Sequence, residues 1–184
     1  MKQLFQKLNY LKVLTAFFEN PYDESYLREI ARKLRMSPAT VQRALGTLEK
    51  EGLVSRRNTN NASYFKATMS GEFKALKLAF TLSIIEEAGI VRLIVEKSSG
   101  LNSILLYGSA ARGEDDRKSD YDLLVISAGC RARAIEISEM LGKESSLQSY
   151  AISEWKEISK KNRAFYIEVI TSSIALYGHR PVID

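Results

Sequence analysis

Two aspartates, Asp120 and Asp122, stand two residues apart at the start of an apolar run, and before them, with ten residues between, Gly108 and Ser109 follow another such run. In a strand alternate side chains share a face, so the two carboxylates project the same way with Cα atoms about 7 Å apart. Like charges that close repel, and a cation between them removes the conflict. Mg²⁺, or Mn²⁺ in its place, suits such a pair, because it takes oxygen ligands from a few carboxylates and completes its shell with substrate phosphate. Gly108 leaves room for a phosphate and Ser109 offers a hydroxyl donor beside backbone N–H groups. The chemistry expected is metal-assisted binding of a triphosphate at a strand edge.

Other chemistries are narrowed by composition. The single cysteine, Cys130, rules out an internal disulfide and a cysteine zinc cage, and the lone His179 cannot build a histidine metal site. With Trp155, these two read as structural or surface residues. No apolar run reaches spanning length, and Met1 to Phe5 opens no signal-peptide core, so a cytoplasmic location with no membrane partner is expected. The formal net charge of +5 is uneven. Residues 1–70 carry 12 Lys and Arg against 6 Asp and Glu, whereas the remainder carries 15 against 16. A basic first part predicts a polyanionic partner there and a different task for the rest.

The elements follow from periodicity. Leu4, Leu8, Leu11, Leu14 and Phe18 predict a helix that Asn20-Pro21 stops; Leu27, Ile30, Ala31 and Leu34 predict a second, ending near Arg35. Ser37 as N-cap, Pro38 at the first position and a Val41, Ala44, Leu45, Leu48 stripe predict a third. Its other face shows Thr40, Gln42, Arg43 and Thr47, donors suited to base edges and phosphates. Gly46 within it costs about 1 kcal/mol relative to Ala, which suggests close approach of another helix or of DNA. Leu53–Arg57 and Tyr64–Ala67 predict a hairpin about an Asn58–Asn61 turn. Residues 71–97 read as two helices divided at Gly89, for which core packing and a homodimer seam are both open uses. Ile104–Tyr107 and Tyr121–Ile126 predict strands.

Three helices and a basic hairpin around "YLREIARKLRMSPATVQRALGTLEKEGLV" resemble the winged helix-turn-helix family over residues 4–68. The resemblance implies double-stranded DNA as partner, with Thr40, Gln42 and Arg43 toward bases and Arg56, Arg57 and Lys66 on the wing toward phosphate. A protein-interaction role for the same module is the alternative. "GSAARGEDDRKSDYDLLV", with "ALYG" at 175–178, resembles the minimal members of the polymerase-β-like nucleotidyltransferase superfamily over residues 84–180. That resemblance implies that Gly108 and Ser109 hold nucleotide phosphates, that Asp120 and Asp122 ligate Mg²⁺ with Ser109 beside them in the catalytic set, and that Arg112 and Lys118 contact phosphate. Two ions would then activate the attacking hydroxyl and stabilise the leaving pyrophosphate. The family's third carboxylate belongs on the next strand, expected in "LQSYAI" at 147–152, where Gln148 or Ser149 takes its place; Glu144 and Glu154 flank that stretch.

The fold class expected is α+β: a winged helix over 1–70, a helical connector over 71–97, and a small α/β nucleotidyltransferase-like domain with a mixed sheet over 98–184. Two functions follow. One is Mg²⁺-dependent transfer of a nucleoside monophosphate to a hydroxyl, a protein acceptor included. The other is transcription regulation with the second domain as nucleotide sensor or dimerisation module.

Overall fold

A computed structural model describes residues 8–59 and 62–183. The chain makes two compact units, one running to Phe80 and taking in Gly113–Lys118, the other comprising Thr81–Arg112 and the residues from Ser119 onward. The fold is α+β with a mixed sheet in the second unit, as expected.

In the first unit α1 (Asn9–Phe18) buries Val13, Leu14, Phe17 and Phe18. Leu8 and Leu11 are only half-buried, so the buried face is centred a residue away from the predicted stripe; Leu4 lies outside the described residues. A two-residue strand β1 (Ser25–Tyr26), too short to leave a periodic signal, precedes α2 (Leu27–Leu34). Arg35, at φ 53°, ends α2, its N–H donating to the carbonyls of Ala31 and Arg32. In α3 (Pro38–Lys50) the Thr40 N–H donates to Ser37 Oγ at 3.1 Å, a cap whose loss costs ~1 kcal/mol, and the Val41, Ala44, Leu45, Leu48 stripe is buried as predicted. Strands β2 (Val54–Asn58) and β3 (Ser63–Ala67) form the hairpin, in an antiparallel sheet of order β1-β3-β2. Thr59 N–H donates to Ala62 O across its turn, whose Asn60 and Asn61 lie outside the described residues.

Helix α4 (Gly71–Glu87) begins in this unit, where Phe73 meets Phe18 edge to face at 5.5 Å between centroids. One turn on, Lys77 is buried to 2% exposure; its Nζ donates to Phe18 O and pairs with Asp115 Oδ1 at 3.0 Å. Removing one member of such a pair costs ~3–5 kcal/mol, since the other charge stays buried.

In the second unit Gly89 separates α4 from α5 (Ile90–Glu96), as the sequence predicts. The sheet order is β6-β5-β4-β7: β4 (Ser98–Tyr107) lies antiparallel to β5 (Tyr121–Cys130) and β7 (Ile174–Gly178), and β5 runs parallel to β6 (Ser145–Tyr150). Both central strands are longer than predicted. Their added ends pair Ser98 and Ser99 with Cys130 and Gly129, residue types with little strand preference of their own. Between them lies α6, the single turn Gly108–Ala111; α7 (Ala134–Leu141) precedes β6. One sheet face, Leu105, Tyr107, Leu124 and Ile126, packs with Trp155 of α8 (Ile152–Lys161) and Tyr166 and Val169 of α9 (Arg163–Ser172). Trp155 is structural: it is fully buried and its Nε1 donates to Pro181 O at 2.7 Å.

Candidate functional site

The antiparallel register sets Asp122 directly across from Tyr107, the last residue of β4, so the turn that follows β4 folds beside it. Gly108 has φ 70°, and a Cβ there would lie 2.5 Å from Asp122 Oδ2. The missing side chain that would leave room for a phosphate also admits the Asp122 carboxylate against the turn. The other oxygen, Oδ1, accepts from Ser146 Oγ at 2.6 Å, Ser146 being the Asp122 partner on β6. Asp122 is thus half-buried and fixed from two sides, whereas Asp120, just before β5, is exposed. Ser109 is half-buried one residue beyond Gly108.

The third-acid position differs from the expectation. Strand β6 starts at Ser145 rather than at Leu147, which makes Ser146 the neighbour of Asp122. Gln148 pairs with Leu124, two residues up the strand, and its Oε1 accepts from Tyr150. Ser149 pairs with Val125 and so points to the opposite face. A hydroxyl therefore stands where sequence reasoning placed Gln148 or Ser149. The signal was Gly142, which ends α7 at φ 64° and lets a strand begin within three residues. Among the described residues no three His, Cys, Asp or Glu side chains gather around one point. Asp120 and Asp122 with substrate phosphate oxygens still make a donor set of the kind Mg²⁺ uses, so the residues present fit the ion.

Burial first, and then the negative charge of Asp122, push the Tyr107 phenol up to about 12; a hydrogen bond with Ser146 acts the other way. The unfolded phenol titrates near 10. Between about pH 10 and 12 the unfolded chain has lost a proton that the folded chain keeps, so stability falls as pH rises through that window. Tyr107→Phe is expected to flatten that fall, read as Tm by circular dichroism from pH 9 to 11.5; an unchanged slope would assign it to other groups. Arg112 reaches Glu168 of α9 at 3.1 Å, both side chains about 40% exposed, a pair that sequence spacing could not reveal. Lys118 is exposed, in the Gly113–Lys118 segment of the first unit.

The predicted DNA-facing residues divide by location. Gln42 and Arg43 are exposed on α3, but they line different hollows. Arg43 shares one with Asn9 and Tyr10 of α1, while Gln42 shares another with Arg56 of the wing. Thr40 is half-buried and its hydroxyl lies 2.8 Å from that of Ser37, which ties it to the helix cap. Arg56 pairs with buried Phe65, on the wing face that packs toward the helices, whereas Arg57 and Lys66 lie on the other face. Arg57 is held by both carboxylate oxygens of Glu24, which lowers the Glu24 carboxyl and raises the guanidinium. The three wing cations are therefore divided between the two faces of the hairpin. A side chain at Gly46 would meet nothing within 4 Å beyond the local backbone of its own helix, so packing among the described residues does not require that glycine.

Residues 22–61 match the MarR family, and residues 89–177 match the nucleotidyltransferase domain family. The chain joins a MarR-type winged helix to a nucleotidyltransferase domain. No curated protein matches the sequence. Among solved structures it is similar to the toxin-antitoxin with AMP-PNP, at 22% identity over 51% of this chain and 74% of that chain, TM-score 0.41. It is also similar to MepR, a transcription regulator of the Staphylococcus aureus multidrug efflux pump MepA, at 21% identity over 50% of this chain and 73% of that chain, TM-score 0.40. No helix among the described residues is long and apolar enough to cross a membrane.

Proposed function

We propose that this protein is a DNA-binding regulator whose nucleotidyltransferase domain binds a nucleoside triphosphate with Mg²⁺ and transfers from it slowly. The observation that supports this reading is the Asp122 carboxylate lying against Gly108, in the turn that carries Ser109. When bound, the ion would neutralise triphosphate and polarise it toward an attacking hydroxyl. The chain's own part is to seat phosphate at Gly108 and Ser109, to hold Asp122 through Ser146, and to present Asp120 to solvent. Transfer to a hydroxyl acceptor, a protein included, is the second reading. The two aspartates favour it; Ser146 in the neighbouring strand position supports binding over turnover, because no carboxylate stands there to take the acceptor's proton. Thermal-shift and calorimetric titration of the full chain with ATP, GTP, CTP and UTP, with and without Mg²⁺, tests the reading. No Mg²⁺-dependent binding of any of them would defeat it.

DNA binding by the winged helix is expected to depend most on Arg43. Arg43→Ala should cost ~1–3 kcal/mol and blunt sequence preference. Lys66→Ala should weaken all duplexes alike and lower the salt slope by about 1, with less change for Arg57→Ala because Glu24 already holds that guanidinium. Gel-shift titrations on a selected and a scrambled duplex at two salt concentrations distinguish these outcomes. Equal binding of both duplexes by wild type and Arg43→Ala would remove α3 from the reading role.

A further inference from the structure

The segment Gly113–Lys118 connects the Gly-Ser turn to Asp120, yet it is part of the first unit. Its hold there is specific. Gly113 has φ 65° and lies so close to the Lys74 carbonyl that a Cβ would come within 2.3 Å of that oxygen. The Glu114 carboxylate pairs with Lys74 Nζ at 2.7 Å, and the Glu114 carbonyl accepts from Tyr22 OH at 2.8 Å. Asp115 pairs with Lys77, at 4% and 2% side-chain exposure. Lys77 also donates to the carbonyl of Phe18, the last residue of α1, and Tyr10 of α1 shares a hollow with Arg43 of the reading helix. Only Ser119 separates this segment from Asp120. Asp120 is thus joined through Ser119 to a segment held by the same unit that carries α1 and α3.

We propose that Lys77 and Asp115 are positioning residues through which nucleotide binding and DNA binding are thermodynamically linked. The linkage rests on the reading above, that Asp120 and Asp122 take a magnesium-bound triphosphate. Linkage is reciprocal: the factor by which nucleotide changes DNA affinity equals the factor by which DNA changes nucleotide affinity. A buried ion pair replaced by apolar residues of similar volume keeps folding intact in many proteins, which separates the coupling from the fold.

The test uses the full chain, Mg²⁺ with whichever of ATP, GTP, CTP or UTP it binds most tightly, and a fluorescent duplex selected on the wild-type protein. The duplex Kd is measured with and without nucleotide, for wild type and for the double variant Lys77→Met/Asp115→Leu. Wild type is expected to change Kd at least fivefold on nucleotide addition. The double variant is expected to change it less than twofold while each ligand alone binds as in wild type. A wild-type change under fivefold, or a double-variant change of twofold or more, overturns the linkage and leaves the proposed function standing. Failure of wild type to bind any of the four triphosphates, or duplex DNA, instead removes that function and the linkage with it. If the double variant lacks the wild-type circular dichroism, Tyr22→Phe/Lys74→Met, which loosens Glu114 alone, must cut the wild-type change at least by half, and an undiminished change is equally decisive against the linkage.

Discussion

Asp122→Asn is expected to lower the affinity for magnesium triphosphate on the order of 100-fold, ~2.7 kcal/mol, while leaving the fold intact. The amide has the shape of the carboxylate and can still accept from Ser146 Oγ, so the hydrogen bond that positions the side chain is retained. What is lost is the charge, and with it the more firmly held of the two carboxylates proposed to take the ion, since Asp120 is exposed. Calorimetry with Mg²⁺ and the preferred triphosphate reads the effect, and Mg²⁺-free titration supplies the baseline. Equal binding by wild type and Asp122→Asn would move the site away from the Asp-x-Asp strand.

Ser146→Asp is expected to raise transfer by about 100-fold or more over a low wild-type rate, the scale of a positioned general base. The register makes this the informative position: Ser146 lies beside Asp122, whereas Gln148 pairs with Leu124 and Ser149 points to the other face. Gln148→Asp and Ser149→Asp therefore serve as controls that should gain nothing. A second carboxylate against Asp122 also adds repulsion when no cation is present, so Ser146→Asp should lower the Tm without Mg²⁺ and recover it with Mg²⁺. A labelled-triphosphate assay with hydroxyl acceptors gives the rates. Vigorous wild-type turnover abolished by Asp120→Ala would show that Ser146 is no handicap, and the transferase reading would then prevail.

The sequence by itself determined the pieces whose signals are local. Ser37, Pro38 and the Val41 to Leu48 stripe suffice to define α3, because a cap, a fixed φ and a 3.6-residue period all act within one turn of the residues concerned. The Gly89 break and the apolar strand that begins at Tyr121 were legible because their signals are equally local. Pairing across space was not. Which residue of β6 meets Asp122 depends on where a strand starts, and a shift of two positions replaces Gln148 with Ser146 without altering the alternation that announces the strand. The wing looked uniformly basic until the pleat sent Arg56 to one face and Arg57, with Glu24 on it, to the other. Most consequentially, "GEDDRK" looks in one dimension like a solvated loop, since nothing local marks Asp115 as buried. Only the tertiary fold brings Lys77, 38 positions earlier, onto that carboxylate, and low-dielectric burial then makes the pair costly to break.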